Sequence, residues 1–171
     1  MKKSILALIA TAALATFAQA ETTVKLSGVH LCCGSCVKGV EKAVATVSGV
    51  TADCDKDAGT ITLTAADKAA TQKAVDALDA AGYFGKSSDS AVSFKDNSGA
   101  KDGKVSTLTV KEVHLCCDKC VKAVGTALGK VKGVSSNTAE KKATSFEVKG
   151  DFSPKEVFAA LQAAGLTGKA K

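Results

Sequence analysis

Gly28-Val29-His30-Leu31-Cys32-Cys33-Gly34-Ser35-Cys36-Val37-Lys38 recurs as Glu112-Val113-His114-Leu115-Cys116-Cys117-Asp118-Lys119-Cys120-Val121-Lys122, 84 residues further along the chain. The same register continues past the cysteines, where Val40, Val44, Val47, Gly49 and Val50 map onto Val124, Leu128, Val131, Gly133 and Val134. Leu78-Asp79-Ala80-Ala81-Gly82 then matches Leu161-Gln162-Ala163-Ala164-Gly165 after a one-residue change in loop length. The chain is therefore a duplicated module of about 65 residues, two copies being too few for a stacked solenoid.

Each copy presents its elements in the same order. Val24 and Leu26 alternate with Lys25 and Ser27, which predicts a strand over residues 23–29, with 106–113 its counterpart. After the cysteines, Val37, Val40, Val44 and Val47 at 3, 4, 3 spacing predict one apolar helix face, repeated by Val121, Val124, Leu128 and Val131. Gly49 and Gly133 stand where C-terminal caps belong. Two short strands follow, at 52–54 and 60–64 around the turn Asp57-Ala58-Gly59, and at 135–139 and 145–148 in the second copy. A second helix is predicted over 67–81. Its counterpart begins at Ser153-Pro154-Lys155-Glu156, with a capping Ser, a Pro at the first helical position and a Glu at the third. A thin last strand is expected at 83–84 and 166–167. The order βαββαβ makes the fold α+β, two tandem ferredoxin-like modules at residues 22–86 and 105–171. Residues 87–104, rich in Ser, Asp, Asn, Gly and Lys, read as a flexible linker, or through Val92-Ser93-Phe94 as an edge strand of the first module.

Composition narrows the function classes. Of 171 residues only 4% are aromatic, Trp is absent, and all 23 basic residues are lysines. Without the planar fork of arginine, sequence-specific nucleic-acid binding is not expected despite the formal charge of +6. Residues 1–20 have a basic head, an apolar run from Ile5 to Phe17 and Ala18-Gln19-Ala20, the form of a cleaved secretory signal. The run is short for a bilayer span, so no membrane attachment is expected after cleavage. The destination is periplasmic or secreted, where thiols are under oxidising pressure. Lysine exceeds acid twelve to six in residues 104–171 but only balances it in 22–88, which suits docking to an acidic partner.

Chemistry concentrates in the two cysteine loops. Cys33 with Cys36, and Cys117 with Cys120, have C-x-x-C spacing where a strand gives way to a helix, a junction whose free amides and dipole favour thiolates. Thiolates are soft donors suited to copper(I), zinc and other thiophilic ions. Cys32 and Cys116 add a third sulfur to each loop, and His30 and His114 an imidazole, enough for two-, three- or four-coordinate binding. The competing fates are a disulfide at each C-x-x-C, small buried residues at Cys32 and Cys116, and a structural or ligand-orienting role for the histidines. Cys54 has no counterpart, Thr138 standing in its place, and is expected in the core.

These residues resemble the heavy-metal-associated (HMA) domain, the family of small copper chaperones, of the N-terminal modules of metal-transporting ATPases and of the periplasmic mercury-binding protein. The likeness covers nearly all of the chain after residue 20, twice, through the C-x-x-C, Val37-Lys38-Gly39-Val40-Glu41-Lys42-Ala43 and Ala77-Leu78-Asp79-Ala80-Ala81-Gly82-Tyr83. It implies a metal held at an exposed loop by Cys33 with Cys36 and by Cys117 with Cys120, with Tyr83 close by and Leu166 its counterpart. The family usually has Gly-Met before the residue that precedes the first thiol. His30-Leu31 and His114-Leu115 hold those places here, and a cysteine precedes the first thiol in both copies. A linear two-thiolate copper site therefore competes with a higher-coordinate site for zinc, cadmium or mercury, copper remaining the first expectation. The expected function is sequestration or chaperone-type transfer of a soft metal ion to a metal-transport or acceptor protein, with no catalysis. The alternatives are a thiol-disulfide redox protein using the same pairs, and an interaction module whose metal is structural.

Overall fold

The computed structural model describes residues 21–171, so the predicted signal at residues 1–20 lies outside the described residues. The first module contains β1 (Thr22–Ser27), α1 (Gly34–Val44), β2 (Val50–Asp55), β3 (Thr60–Ala65), α2 (Lys68–Ala80) and β4 (Lys86–Ser87). The second contains β5 (Val105–Lys111), α3 (Asp118–Leu128), β6 (Val134–Asn137), β7 (Ser145–Phe152), α4 (Pro154–Ala163) and β8 (Lys169–Ala170). Period-two alternation builds each sheet. Val24 stands opposite Leu63 and Leu26 opposite Ile61, all four fully buried. Leu108 opposite Val148 and Val110 opposite Phe146 repeat the arrangement. A one-residue slip would turn either set to solvent, so burial holds the register. Both sheets are antiparallel, in the orders β2-β3-β1-β4 and β6-β7-β5-β8, the ferredoxin-like plan twice over.

Several local expectations are corrected. The buried face of α1 is Cys36, Val40, Ala43 and Val44, and that of α3 is Cys120, Val124, Ala127 and Leu128. Val37 and Val121 are only half-buried, because the i, i+4, i+7, i+8 set that begins at the second thiol of each pair is the one that meets the sheet. Both helices stop a turn early. Ala45 and Gly129 are the caps, and Val47, Val131, Gly49 and Gly133 lie beyond them. Asp67 caps α2 by accepting from the Ala70 amide at 2.7 Å, whereas the Ser153 side chain makes no capping bond and α4 starts on Pro154 alone. Cys54, on β2, is half-buried at the margin of the core.

The largest difference lies at the end of each module. The last strands are β4 and β8, three residues later than expected, while Tyr83 and Leu166 pair with each other across the two modules. The Phe84 amide donates to the Gly165 carbonyl (3.2 Å), Thr167 to Gly82 (3.0 Å), and His30 to Gly165 (3.2 Å). Each copy thus offers the same segment to its sibling, and the modules meet along a pseudo-twofold seam. Glycine is required there. Gly82 (φ +85°) and Gly165 (φ +77°) adopt left-handed backbone, and a Cβ on Gly82 would lie 2.5 Å from the His114 amide nitrogen. One on Gly165 would meet the Gly28 carbonyl and the His30 amide at closer range still.

Past Ser87, which ends β4, residues 88–104 are not a free tether, and Val92-Ser93-Phe94 do not form an edge strand. Val92 is fully buried, the Gln72 side chain brackets the Ser93 backbone (2.9 and 3.0 Å), and Phe94 packs on Phe84 at 5.1 Å between ring centroids. Ser98 accepts from the Ala170 amide at 2.7 Å, so the segment is fastened to both modules. Beside it Lys169 of β8 meets the buried Asp79 of α2 at 3.0 Å, with Asn97 also on that carboxylate at 3.5 Å. Removing one partner of a buried pair leaves an uncompensated charge. Since Asn97 remains, Lys169→Ala is expected to destabilise the chain by about 2–3 kcal/mol, read as a lowered urea midpoint. An unchanged midpoint would show that the pair contributes nothing to the seam.

Candidate metal centre

Strand β1 ends at Ser27 and α1 begins at Gly34, so Cys32 and Cys33 sit on the connecting loop and Cys36 in the first helical turn; β5 and α3 place Cys116, Cys117 and Cys120 in the same way. Leu31 and Leu115 are buried beneath the loops and anchor them to their cores. Cys33 and Cys117 are the helix N-caps, with extended backbone, yet neither thiol caps its helix. Both side chains turn instead toward the other module.

The seam brings all six sulfurs together. Within the pairs, Cys33 and Cys36 are 3.9 Å apart and Cys117 and Cys120 4.0 Å. Across the seam the distances are shorter: 3.4 Å for Cys32–Cys117, 3.5 Å for Cys33–Cys116, 3.5 Å for Cys32–Cys120 and 3.4 Å for Cys36–Cys116. Cys32–Cys36 and Cys116–Cys120 close the figure at 3.6 Å each. Cys36 and Cys120 are fully buried and the other four half-buried. The site expected as two separately exposed loops is one shared cluster.

Proton affinities within it diverge. The neighbouring Cys120 thiol, aided by His114, Cys116 and Cys32, holds Cys36 well below the ordinary thiol range, and the same proximity raises Cys120. Burial pushes Cys32 up to about 12 and raises Cys116. For Cys117 burial also acts upward, but the proximity of the Cys120 and Lys119 amides at the helix N-terminus and of the Cys32 and Cys33 thiols outweighs it and lowers the thiol to about 7. The helix N-terminus thus acts at Cys117 as its amides predict, whereas the neighbouring thiols dominate at Cys36.

The two histidines part company. His114 belongs to a donor group with Cys36, Cys116 and Cys120, all ligand atoms lying within 4.8 Å of one another. His30 is in no such group among the described residues; its Nε2 is buried without a partner, and burial lowers its pKa. The difference traces to one position of the repeat. Tyr83 is fully buried, donates its hydroxyl to the Cys36 carbonyl at 2.8 Å and stands 3.2 Å from the His114 ring nitrogens. Its counterpart Leu166 has no hydroxyl to offer His30. Gly39 makes room for the phenol, a Cβ there colliding with Tyr83 Oη, while the corresponding Ala123 faces no phenol. Tyr83→Phe should leave the Cys36 carbonyl and His114 short of a partner and lower stability by about 1–2 kcal/mol. Denaturant unfolding of the apo chain reads this directly, and no change would mean that Tyr83 acts by packing alone.

No protein-family model matches the chain, and no curated protein matches it. Among solved structures, the apo form of the HMA domain of the copper chaperone for superoxide dismutase is 26% identical, over 46% of this chain and 81% of its own, with a TM-score of 0.35. The N-terminal soluble domains of Bacillus subtilis CopA are 16% identical, over 90% of this chain and 95% of theirs, at 0.31. The first two RRM domains of yeast poly(U) binding protein are 10% identical, over 88% and 98%, at 0.26. Scores of this size decide neither fold nor function, which rest on the strand order, the register and the cysteine cluster.

Proposed function

We propose that the chain binds thiophilic metal ions through the cysteines gathered at the seam, and that it sequesters them or passes them to an acceptor. The supporting observation is that each of the six sulfurs has two or more sulfur neighbours between 3.4 and 4.0 Å, a multidentate soft-donor site and not a set of isolated dithiols. The HMA resemblance favours copper(I), whereas four-sulfur groupings favour four-coordinate ions such as zinc or cadmium. Thiol-disulfide exchange needs an attacking thiol open to its substrate. Cys33 and Cys117 face the opposite module and Cys36 and Cys120 are buried, which disfavours that alternative and any catalysis built on it.

Sequestration suits the enclosed site. Transfer would require the seam to part so that an acceptor thiolate could displace one donor at a time, and the lysine excess of the second module suits an acidic acceptor. The form of residues 1–20 supports a periplasmic or secreted location, and no described helix is long and apolar enough to cross a membrane. Anaerobic titration of the reduced chain tests the reading. Stoichiometric uptake of a thiophilic ion is expected, together with failure of the apo chain to reduce insulin disulfides; no uptake, or reductase turnover, would overturn it.

A further inference from the structure

The geometry points to a single two-ion cluster in which Cys32 and Cys116 bridge the ions, while Cys33 with Cys36 and Cys117 with Cys120 serve as terminal ligands. This rests on the metal-binding reading and assigns a role to the two cysteines that the C-x-x-C pairing leaves over. Two four-sulfur groups have every ligand atom within 4.8 Å of every other: Cys32, Cys33, Cys36 and Cys116, and Cys32, Cys116, Cys117 and Cys120. They exchange under the pseudo-twofold of the seam, and the members they share are Cys32 and Cys116.

The dimensions suit tetrahedral coordination. Zinc–thiolate bonds of about 2.3 Å imply sulfur–sulfur edges of about 3.8 Å. In the first group the edges are 3.9 Å (Cys33–Cys36), 3.5 Å (Cys33–Cys116), 3.4 Å (Cys36–Cys116) and 3.6 Å (Cys32–Cys36). The second repeats them at 4.0, 3.4, 3.5 and 3.6 Å. Six sulfurs cannot give two ions four private ligands each. Two must be shared, and only Cys32 and Cys116 lie in both groups. Each thiol still protonated releases its proton to solvent as it coordinates. Two divalent ions on six thiolates leave a net double negative charge, which the N-termini of α1 and α3, both opening at the cluster through Cys33 and Cys117, offset in part. The ligand class is a divalent, thiophilic, four-coordinate ion of the zinc or cadmium type.

Cadmium is the probe. The full reduced chain, titrated without oxygen, should take up two cadmium ions, and cadmium NMR should show two resonances split by mutual scalar coupling through the shared sulfurs, a measurement that needs no variant. Cys32→Ser with Cys116→Ser keeps both C-x-x-C pairs. It should abolish the coupling and weaken both ions together at least tenfold, with apo circular dichroism unchanged. Cys33→Ser with Cys36→Ser should retain one ion near wild-type affinity, held by the second group. Two uncoupled resonances, one ion per chain, or wild-type affinity in the Cys32/Cys116 variant would each overturn the bridged cluster while leaving metal binding intact. No cadmium uptake at all would instead remove the functional reading on which it rests.

Discussion

Gly82→Ala combined with Gly165→Ala is expected to separate the two modules without unfolding either. A left-handed backbone costs a residue with a Cβ about 1–2 kcal/mol, and here each added methyl also meets the backbone of the opposite module: His114 and Glu112 for Gly82, Gly28 and His30 for Gly165. Backbone cannot step aside as a flexible side chain would, so the seam must open. The cores should survive, because Val24, Leu26, Ile61 and Leu63 pack within one sheet and Leu108, Val110, Phe146 and Val148 within the other. Small-angle scattering should then report a larger radius at unchanged far-ultraviolet circular dichroism. Metal affinity should fall at least tenfold, since both four-sulfur groups draw on both modules. Gly49→Ala is the control, its φ of +73° carrying the same backbone strain while a Cβ there meets nothing within 4 Å. A double variant with wild-type radius and affinity would defeat the account of the seam.

The repeat made much of this legible in advance, because duplication displays which residues each module keeps: the paired thiols, the extra cysteine before each pair, and the alternating strands. Even the asymmetry at the centre is written in it, since Tyr83 with Gly39 changes to Leu166 with Ala123 as one complementary pair of differences. The helix face is legible in part: Val40, Val44, Val124 and Leu128 are buried as their spacing predicts, but the rest of the buried set is a cysteine and an alanine, which a valine stripe does not display. The seam was less accessible for a deeper reason. Gly82 and Gly165 follow helices and look like ordinary caps, and in the polar 87–104 segment Val92-Ser93-Phe94 hints at packing but not at the partners that hold Val92, Ser93 and Ser98. Whether two like modules dock or drift apart depends on contacts far apart in sequence, and local periodicity carries no record of those.

Loading the reduced chain with a thiophilic ion at a thousandfold its Kd should raise the unfolding free energy by about 4 kcal/mol, since a ligand that binds only the folded state stabilises it by mass action. For a chain of this size each kcal/mol moves Tm by about 2–4 °C, giving an increase of about 8–16 °C. Removal with a chelator should return the chain to a folded apo form, in contrast to small zinc domains that unfold when stripped. The reason lies in the division between core and cluster. Of the six clustered cysteines only Cys36 and Cys120 are fully buried, each on the packed face of its helix beside Val40 or Val124, while the apolar pairs of β1 with β3 and of β5 with β7 include no sulfur ligand. The modules have a reason to fold without metal, and the metal a reason to hold them together. Differential scanning calorimetry separates the cases: an apo chain with no cooperative transition would make the ion structural, and a loaded chain with an unshifted Tm would mean that the folded state does not bind it. Cys54→Ser should keep the whole shift, because that half-buried thiol on β2 belongs to none of the donor groups.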